Sequence, residues 1–389
     1  MSFSKFTPAI SLLVMGLALV LAAHLAQAQT ETVLHTFINS DGPYLPFSNV
    51  TFDGAGNLYG TTESMVGGFG SVYELSPNGI GGWNETVLYR FTGGADGGYP
   101  FCPVIFDSAG NLYGTAQGGG AYGLGVVFEL NPAGASWKET VLYSFAGGTD
   151  GAYPVTGLIM DPAGNLYGTT LYGGPSNNGT VFELSPSGGV WTERVIYNVD
   201  TSYAGLTMDA AGNIFGAGLT TAFELSPNGK GDWNPTVLHT FSQSARKNSY
   251  GVNGTPVLDK TGNLYGTRSG GAGNGMVYKL SPGKTGKWTQ QVLVSFTNFT
   301  GPWAGVVLDA NGNIYGTTFH GGTYGDGSVF ELVAPVGAGS YTEKVLWSFN
   351  GADGRYLPGG LILDSVGNLY GTTVQGGADG LGNVFEVTP

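Results

Sequence analysis

Four short stretches set a carboxylate, a glycine and an aromatic residue just ahead of a proline: SDGPYLP (40–46), ADGGYP (95–100), TDGAYP (149–154) and ADGRYLP (352–358). They supply Asp41, Tyr44, Asp96, Tyr99, Asp150, Tyr153, Asp353 and Tyr356. Aromatic rings beside carboxylates are suited to holding a sugar or a cation. Three other stretches, DTSYAG (200–205), SQSARKNSYGVNG (242–254) and TNFTGPW (297–303), break the pattern and contribute Arg246, Lys247, Tyr250 and Trp303. Arg246 and Trp303 join the eight Asp and Tyr residues as candidate ligand-binding positions. The plainer reading of the same letters is architectural, because Asp-Gly forms turns and Tyr-Pro can plug a gap.

Recognised catalytic templates are missing. The sequence has no H-E-x-x-H, no G-x-S-x-G and no P-loop. His35 and His239 sit where related segments carry Tyr, which marks them as packing residues. His320, in FHGGTYGDG with Asp326 nearby, is a candidate acid/base or metal ligand. Glycoside chemistry would need two carboxylates at a set separation, which spacing along a chain does not reveal. Calcium loops of the D-x-D-x-D-G kind do not occur. Cys102 is the only cysteine, so no intrachain disulfide or thiolate cluster can form, and its apolar surroundings (PFCPVIFD) suggest a small buried residue. No metal and no cofactor are expected.

The chain that must position these residues has 389 of them, with only 11% charged, 13% aromatic and 70 glycines. Glycine in such excess with this many aromatics points to short strands joined by tight turns rather than to disorder. The net charge of −13 repels phosphate backbones and argues against a nucleic-acid partner. Residues 1–28 read as a signal peptide: Lys5, an apolar run, then Ala26-Gln27-Ala28 as the cleavage site. The mature domain is expected over 29–389, exported, without a membrane span, and monomeric.

The phrase D-x-x-G-N-[LI]-[YF]-G occurs seven times, at Asp53, Asp107, Asp161, Asp209, Asp259, Asp309 and Asp364, with spacings of 54, 54, 48, 50, 50 and 55. Each period holds four strand-like pieces: an apolar run such as GLIMD (157–161), NLYGTT (165–170), TVFEL (180–184) and ERVIYNV (193–199). Four short antiparallel strands repeated seven times predict an all-β, seven-bladed β-propeller. The mature chain opens on a fourth-strand sequence (31–37) and closes on a third-strand one (383–387). The first strand is therefore expected to complete the last blade, whose other strands lie within 360–387, closing the ring and covering two open edges.

In the repeated phrase, Asp should accept amides two or three residues on, and Gly at the fourth position should take a positive φ. The second Gly (60, 114, 168, 216, 266, 316 and 371) implies that an aromatic ring lies over it. The C-strand aromatics and the Trp residues 83, 137, 191, 233 and 288 are the candidates. Features present in every blade build blades. Sites belong where the copies differ, on the face formed by the connections that carry the Asp-Gly-x-Tyr stretches.

The combination GNLYGTT…GG…VFELSP with ETVLYSF…GGTDGAYP resembles the GloVer tandem repeat of exported bacterial proteins described as choice-of-anchor, across about 31–389. The resemblance implies export and surface display and transfers no catalytic residue. The sequence stops at Pro389 on its last strand, which favours a secreted or periplasmic form over an anchored one. The expected function is that of a non-catalytic binding or surface-interaction module for an extracellular glycan or protein. The alternative is a carbohydrate-active lyase or hydrolase with its site at the channel mouth.

Overall fold

The computed structural model describes residues 29–389 except 39–44, 64–67, 201–203, 242–253, 270–274, 285, 298–299 and 338. Every regular element among the described residues is a β-strand, and the strands form seven antiparallel blades of a β-propeller. From the centre outward each blade runs through strands A, B, C and D. In blade 1 these are Thr51–Phe52, Leu58–Thr62, Ser71–Pro77 and Trp83–Arg90. In blade 7 they are Ile362–Leu363, Leu369–Thr373, Asn383–Thr388 and, from the other end of the sequence, Thr30–Thr36. This outer strand pairs antiparallel from Thr30↔Thr388 to Thr36↔Asn383.

The A strands are shorter than their apolar runs suggest. The run 157–161 yields only Ile159–Met160. Glycine and proline crowd the inner end of these segments, as at Pro103, Gly157 and Pro256, and proline cannot donate to a ladder.

Alternation along strands B and C sends apolar side chains to both faces, so each blade packs on two neighbours. Seven buried clusters result, each joining consecutive blades. One of them unites Tyr370, Val384 and Phe37 of blade 7 with Val50, Leu58 and Tyr73 of blade 1. The D-strand Trp residues belong to this packing: Trp191 meets Tyr113 of the preceding blade with ring centres 6.4 Å apart, and Trp233 meets Tyr167 at 5.7 Å.

The second glycine of the phrase is explained by contact. In all seven blades a C-strand aromatic lies where a side chain would project. A Cβ on Gly114 would stand 2.5 Å from Cζ of Phe128, and one on Gly168 would stand 2.6 Å from Cζ of Phe182. The first glycine takes φ between 80° and 100° in every copy, as at Gly262 and Gly367. The Asp caps the turn, with one difference from expectation. Asp161 Oδ1 accepts the amides of Ala163 and Asn165, two and four residues on, both at 2.9 Å. The intervening Gly164 amide turns to the Asp161 carbonyl instead, at 3.0 Å. Oδ2 accepts Asn165 Nδ2 at 2.8 Å and the Tyr167 hydroxyl at 3.0 Å. Burial raises the Asp259 carboxyl, but the bonds donated by Asn263 and Thr261 outweigh it and hold the group down at about 2.

Next to that glycine, a B-strand threonine reaches into the following blade. Thr61, Thr115, Thr267 and Thr317 donate to the carbonyls of Cys102, Thr156, Ala304 and Gly359 at 2.7–3.1 Å. Thr372 of blade 7 donates to Ser48 of blade 1 at 2.8 Å.

Two predictions follow from the packing. Tyr73 and Tyr278 replace Phe over the glycine in blades 1 and 5, are fully buried, and their hydroxyls find no partner. Tyr73→Phe and Tyr278→Phe should each stabilise the fold by about 1 kcal/mol, read as a higher urea midpoint with unchanged slope. Gly168→Ala, which drives a Cβ into Phe182 and Leu158, should lower the same midpoint by the equivalent of about 1–3 kcal/mol.

Candidate functional site

The inner strands enclose a cavity of about 750 Å³ on the propeller axis. Its wall comes from the A strands and the residues just before them. Four side chains, each directly after a proline, stand in this wall: Phe47, Phe101, Val155 and Trp303. Neutral polar groups, among them Asn49, Gln117 and Thr255, complete it. Among the described residues no charged side chain lines the cavity. Cys102 lies in the wall too, 2% exposed; burial pushes its thiol up to about 12, against the opposing bond from Thr115 Oγ1 at 3.3 Å.

The Asp-Gly-x-Tyr loops and the B–C connections share one face of the ring, and hydrogen bonds tie them together. Tyr99, Tyr153 and Tyr356 adopt left-handed φ of 60°, 58° and 60°, as does Leu45 at 69°. Such a conformation costs on the order of 1–3 kcal/mol for a bulky residue, and proline after Leu45, Tyr99 and Tyr153 restricts it further. Interblade bonds hold it in place. The Tyr99 amide donates to Phe69 of blade 1 at 2.7 Å, and its carbonyl accepts from Gln117 of blade 2 at 3.0 Å. Tyr153 donates to Leu124 at 2.8 Å and Tyr356 to Asp326 at 2.7 Å. These tyrosines are stitches between blades through their main chains.

The carboxylates of the same loops are engaged locally. Asp96 accepts Tyr89 Oη at 3.1 Å and the Thr92 amide at 2.8 Å. Asp150 accepts Tyr143 Oη at 2.7 Å, and Asp353 accepts Trp347 Nε1 at 3.1 Å. Each also faces a D-strand glutamate of the next blade. Burial first, and then the neighbouring Asp, raises Glu139 to about 7 beside Asp96, Glu193 to about 8 beside Asp150 and Glu31 to about 7 beside Asp353. These pairs lie between outer strands, away from the cavity wall.

Of the candidate residues, Asp41, Tyr44 and Arg246 lie outside the described residues. Trp303 and Tyr356 are brought together through Phe319, which stacks on Trp303 at 4.0 Å and on Tyr356 at 5.2 Å, with interplanar angles of 13° and 10°. His320 meets Phe319 and Tyr356 edge-on at 4.9 and 5.0 Å. No group of three or more His, Cys, Asp or Glu able to hold a metal occurs among the described residues. Sequence reasoning missed Phe47, Phe101 and Val155. The signal was the residue after the proline: the left-handed backbone at Tyr99 and Tyr153 breaks the alternation that would put both on one face, and Phe101 and Val155, not the tyrosines, stand in the wall.

A profile of the Gloeobacter/Verrucomicrobia repeat matches residues 22–221 and again 194–389. The chain belongs to the Gloeobacter/Verrucomicrobia repeat family. No curated protein matches this repeat protein. Solved structures resemble it in fold. The extracellular domain assigned to a one-component system of B. thetaiotaomicron is 12% identical with a TM-score of 0.58, matching 92% of this chain and 40% of that one. The extracellular domain assigned to a hybrid two-component system of the same organism is 11% identical with a TM-score of 0.60, matching 92% and 39%. The repeat protein thus spans about two fifths of those chains. A periplasmic gluconolactonase of Pseudomonas aeruginosa is 13% identical with a TM-score of 0.52, matching 77% and 84%. No helix among the described residues of the repeat protein is long and apolar enough to cross a membrane.

The buried glutamates make a pH prediction. Their folded pKa values lie above the ordinary carboxyl value, so folding takes up protons as pH rises past about 4.5. Their contribution is complete below that pH and is lost as pH climbs through about 7–8. The melting temperature should fall by several degrees between pH 5 and pH 9, and Glu193→Gln should flatten part of that slope in a calorimetric pH series.

Proposed function

We propose that this repeat protein is an exported, non-catalytic binding module that seats an extracellular carbohydrate at the rim of its axial cavity. One observation carries the reading: aromatic side chains at Phe47, Phe101 and Trp303 stand among neutral hydrogen-bonding groups in a 750 Å³ cavity with no charged lining among the described residues. A sugar ring offers an apolar C–H face to an aromatic and hydroxyls to uncharged donors and acceptors. Acid–base glycoside chemistry needs two carboxylates flanking the bond, whereas Asp96, Asp150 and Asp353 are occupied in turns and blade contacts.

Residues 1–28 serve as the export signal, in keeping with neighbours that are extracellular or periplasmic proteins. Tyr99, Tyr153 and Tyr356 set the rim by fixing the loops. The gluconolactonase likeness is one of fold, and fold does not fix chemistry.

Calorimetric titration of the mature chain with a panel of neutral and acidic oligosaccharides tests the proposal. At least one should bind, and Trp303→Ala should weaken that binding about tenfold or more while circular dichroism stays unchanged. Absence of binding across the panel would end the carbohydrate reading.

A further inference from the structure

Arg355 stands where the copies differ. The corresponding loops carry Pro43, Gly98 and Ala152 at this place, and only this copy puts a cation there. Its main chain is pinned by a two-way pairing with Gln375, at 2.8 and 3.2 Å. Its guanidinium lies over the Tyr356 ring, with Cζ 5.2 Å from the centroid. Tyr356 stacks on Phe319, and Phe319 on Trp303, which is in the cavity wall. The result is a row of layers from the cavity outward across the rim: Trp303, Phe319, Tyr356, Arg355.

Among the described residues, the cation at the end of this row is held by stacking alone. Its Nε is buried and has no acceptor there, and the half-buried side chain makes no ion pair with any described residue. In a chain with 14 Lys and Arg against 27 Asp and Glu, a guanidinium on the loop face without a carboxylate partner among the described residues is conspicuous. Asp326 sits beside Gly351 of the same loop and still forms no bridge to it. A planar, stacked guanidinium is pre-organised for a carboxylate, which it can grip with two parallel N–H donors.

Resting on the carbohydrate reading above, we propose that the rim continues into a subsite for an acidic sugar, in which Arg355 binds the carboxylate of a uronic acid residue. A glycan whose one ring meets Trp303 would run along the aromatic row and present its ring carboxylate to Arg355. Arg355 selects the ligand class, and the neutral cavity wall takes the uncharged part of the chain.

The test compares uronate oligosaccharides (galacturonate, mannuronate and glucuronate trimers) with their methyl esters and with a sulfated neutral trimer, by calorimetric titration of the mature protein. Wild type should prefer at least one free acid over its ester by about tenfold or more. Arg355→Gln should erase that preference and leave ester binding and melting temperature unchanged. Arg355→Lys should recover part of it, and added salt should weaken the acid but not the ester. Equal binding of acid and ester, or a preference surviving in Arg355→Gln, overturns the subsite while leaving the carbohydrate reading intact. Stronger binding of the sulfated trimer overturns the carboxylate assignment. Failure of every sugar to bind removes both.

Discussion

Threonine hydroxyls hold the inner edge of one blade to the next at five of the seven junctions, beside the axial cavity. The bonds from Thr61, Thr115, Thr267, Thr317 and Thr372 land on carbonyls of the segments leading into the A strands. Those segments carry glycine and proline and build only two strand residues each, so the ladder alone would position them weakly. A buried neutral hydrogen bond adds about 0.5–1.5 kcal/mol, but its geometric effect is larger here: it satisfies a main-chain acceptor that faces no strand. Blade 4 has Ala217 in this position and cannot make the bond.

On the loop face the fold spends conformational energy to gain the same registry. Left-handed Leu45, Tyr99, Tyr153 and Tyr356 bridge two blades through their amides and, for Tyr99, Leu45 and Tyr356, through their carbonyls as well. All four lie at the entries to blades 7, 1, 2 and 3 or their junctions, one continuous arc. Outside them, half-buried glutamates stand beside the loop aspartates, their carboxyls raised to about 7–8 by burial and by the neighbouring Asp. The aromatic row ending in Arg355 sits at the blade 6–7 boundary, where this stitched arc meets the sequences that depart from it.

Most of the fold was legible because its determinants are local. The positive-φ glycine, the Asp cap and the glycine beneath an aromatic are all specified within one strand pair, and each recurs seven times. Legibility failed where the deciding contact lies between loops far apart in sequence. Nothing in ADGRYLP announces that Phe319 and His320 will stand beside Tyr356, or that Glu193 will oppose Asp150. Nor does an Asp-Gly-x-Tyr stretch reveal that its carboxylate caps its own turn while the residue after the proline faces inward. The short A strands were missed for a related reason: an apolar run reads the same whether it pairs along its whole length or merely lines a wall.

The glycine beneath each C-strand ring has a bearing on how such a chain can change over time. Copies of one unit here have drifted in loop length, in charge and even in the ring itself, with Tyr standing for Phe in two of them. At the glycine no copy has drifted, because the space holds a hydrogen and nothing larger. A lineage built this way can gain, lose or redecorate whole units, while the hinge point of each unit stays frozen, and its ancestry by duplication stays readable long after the surfaces have diverged.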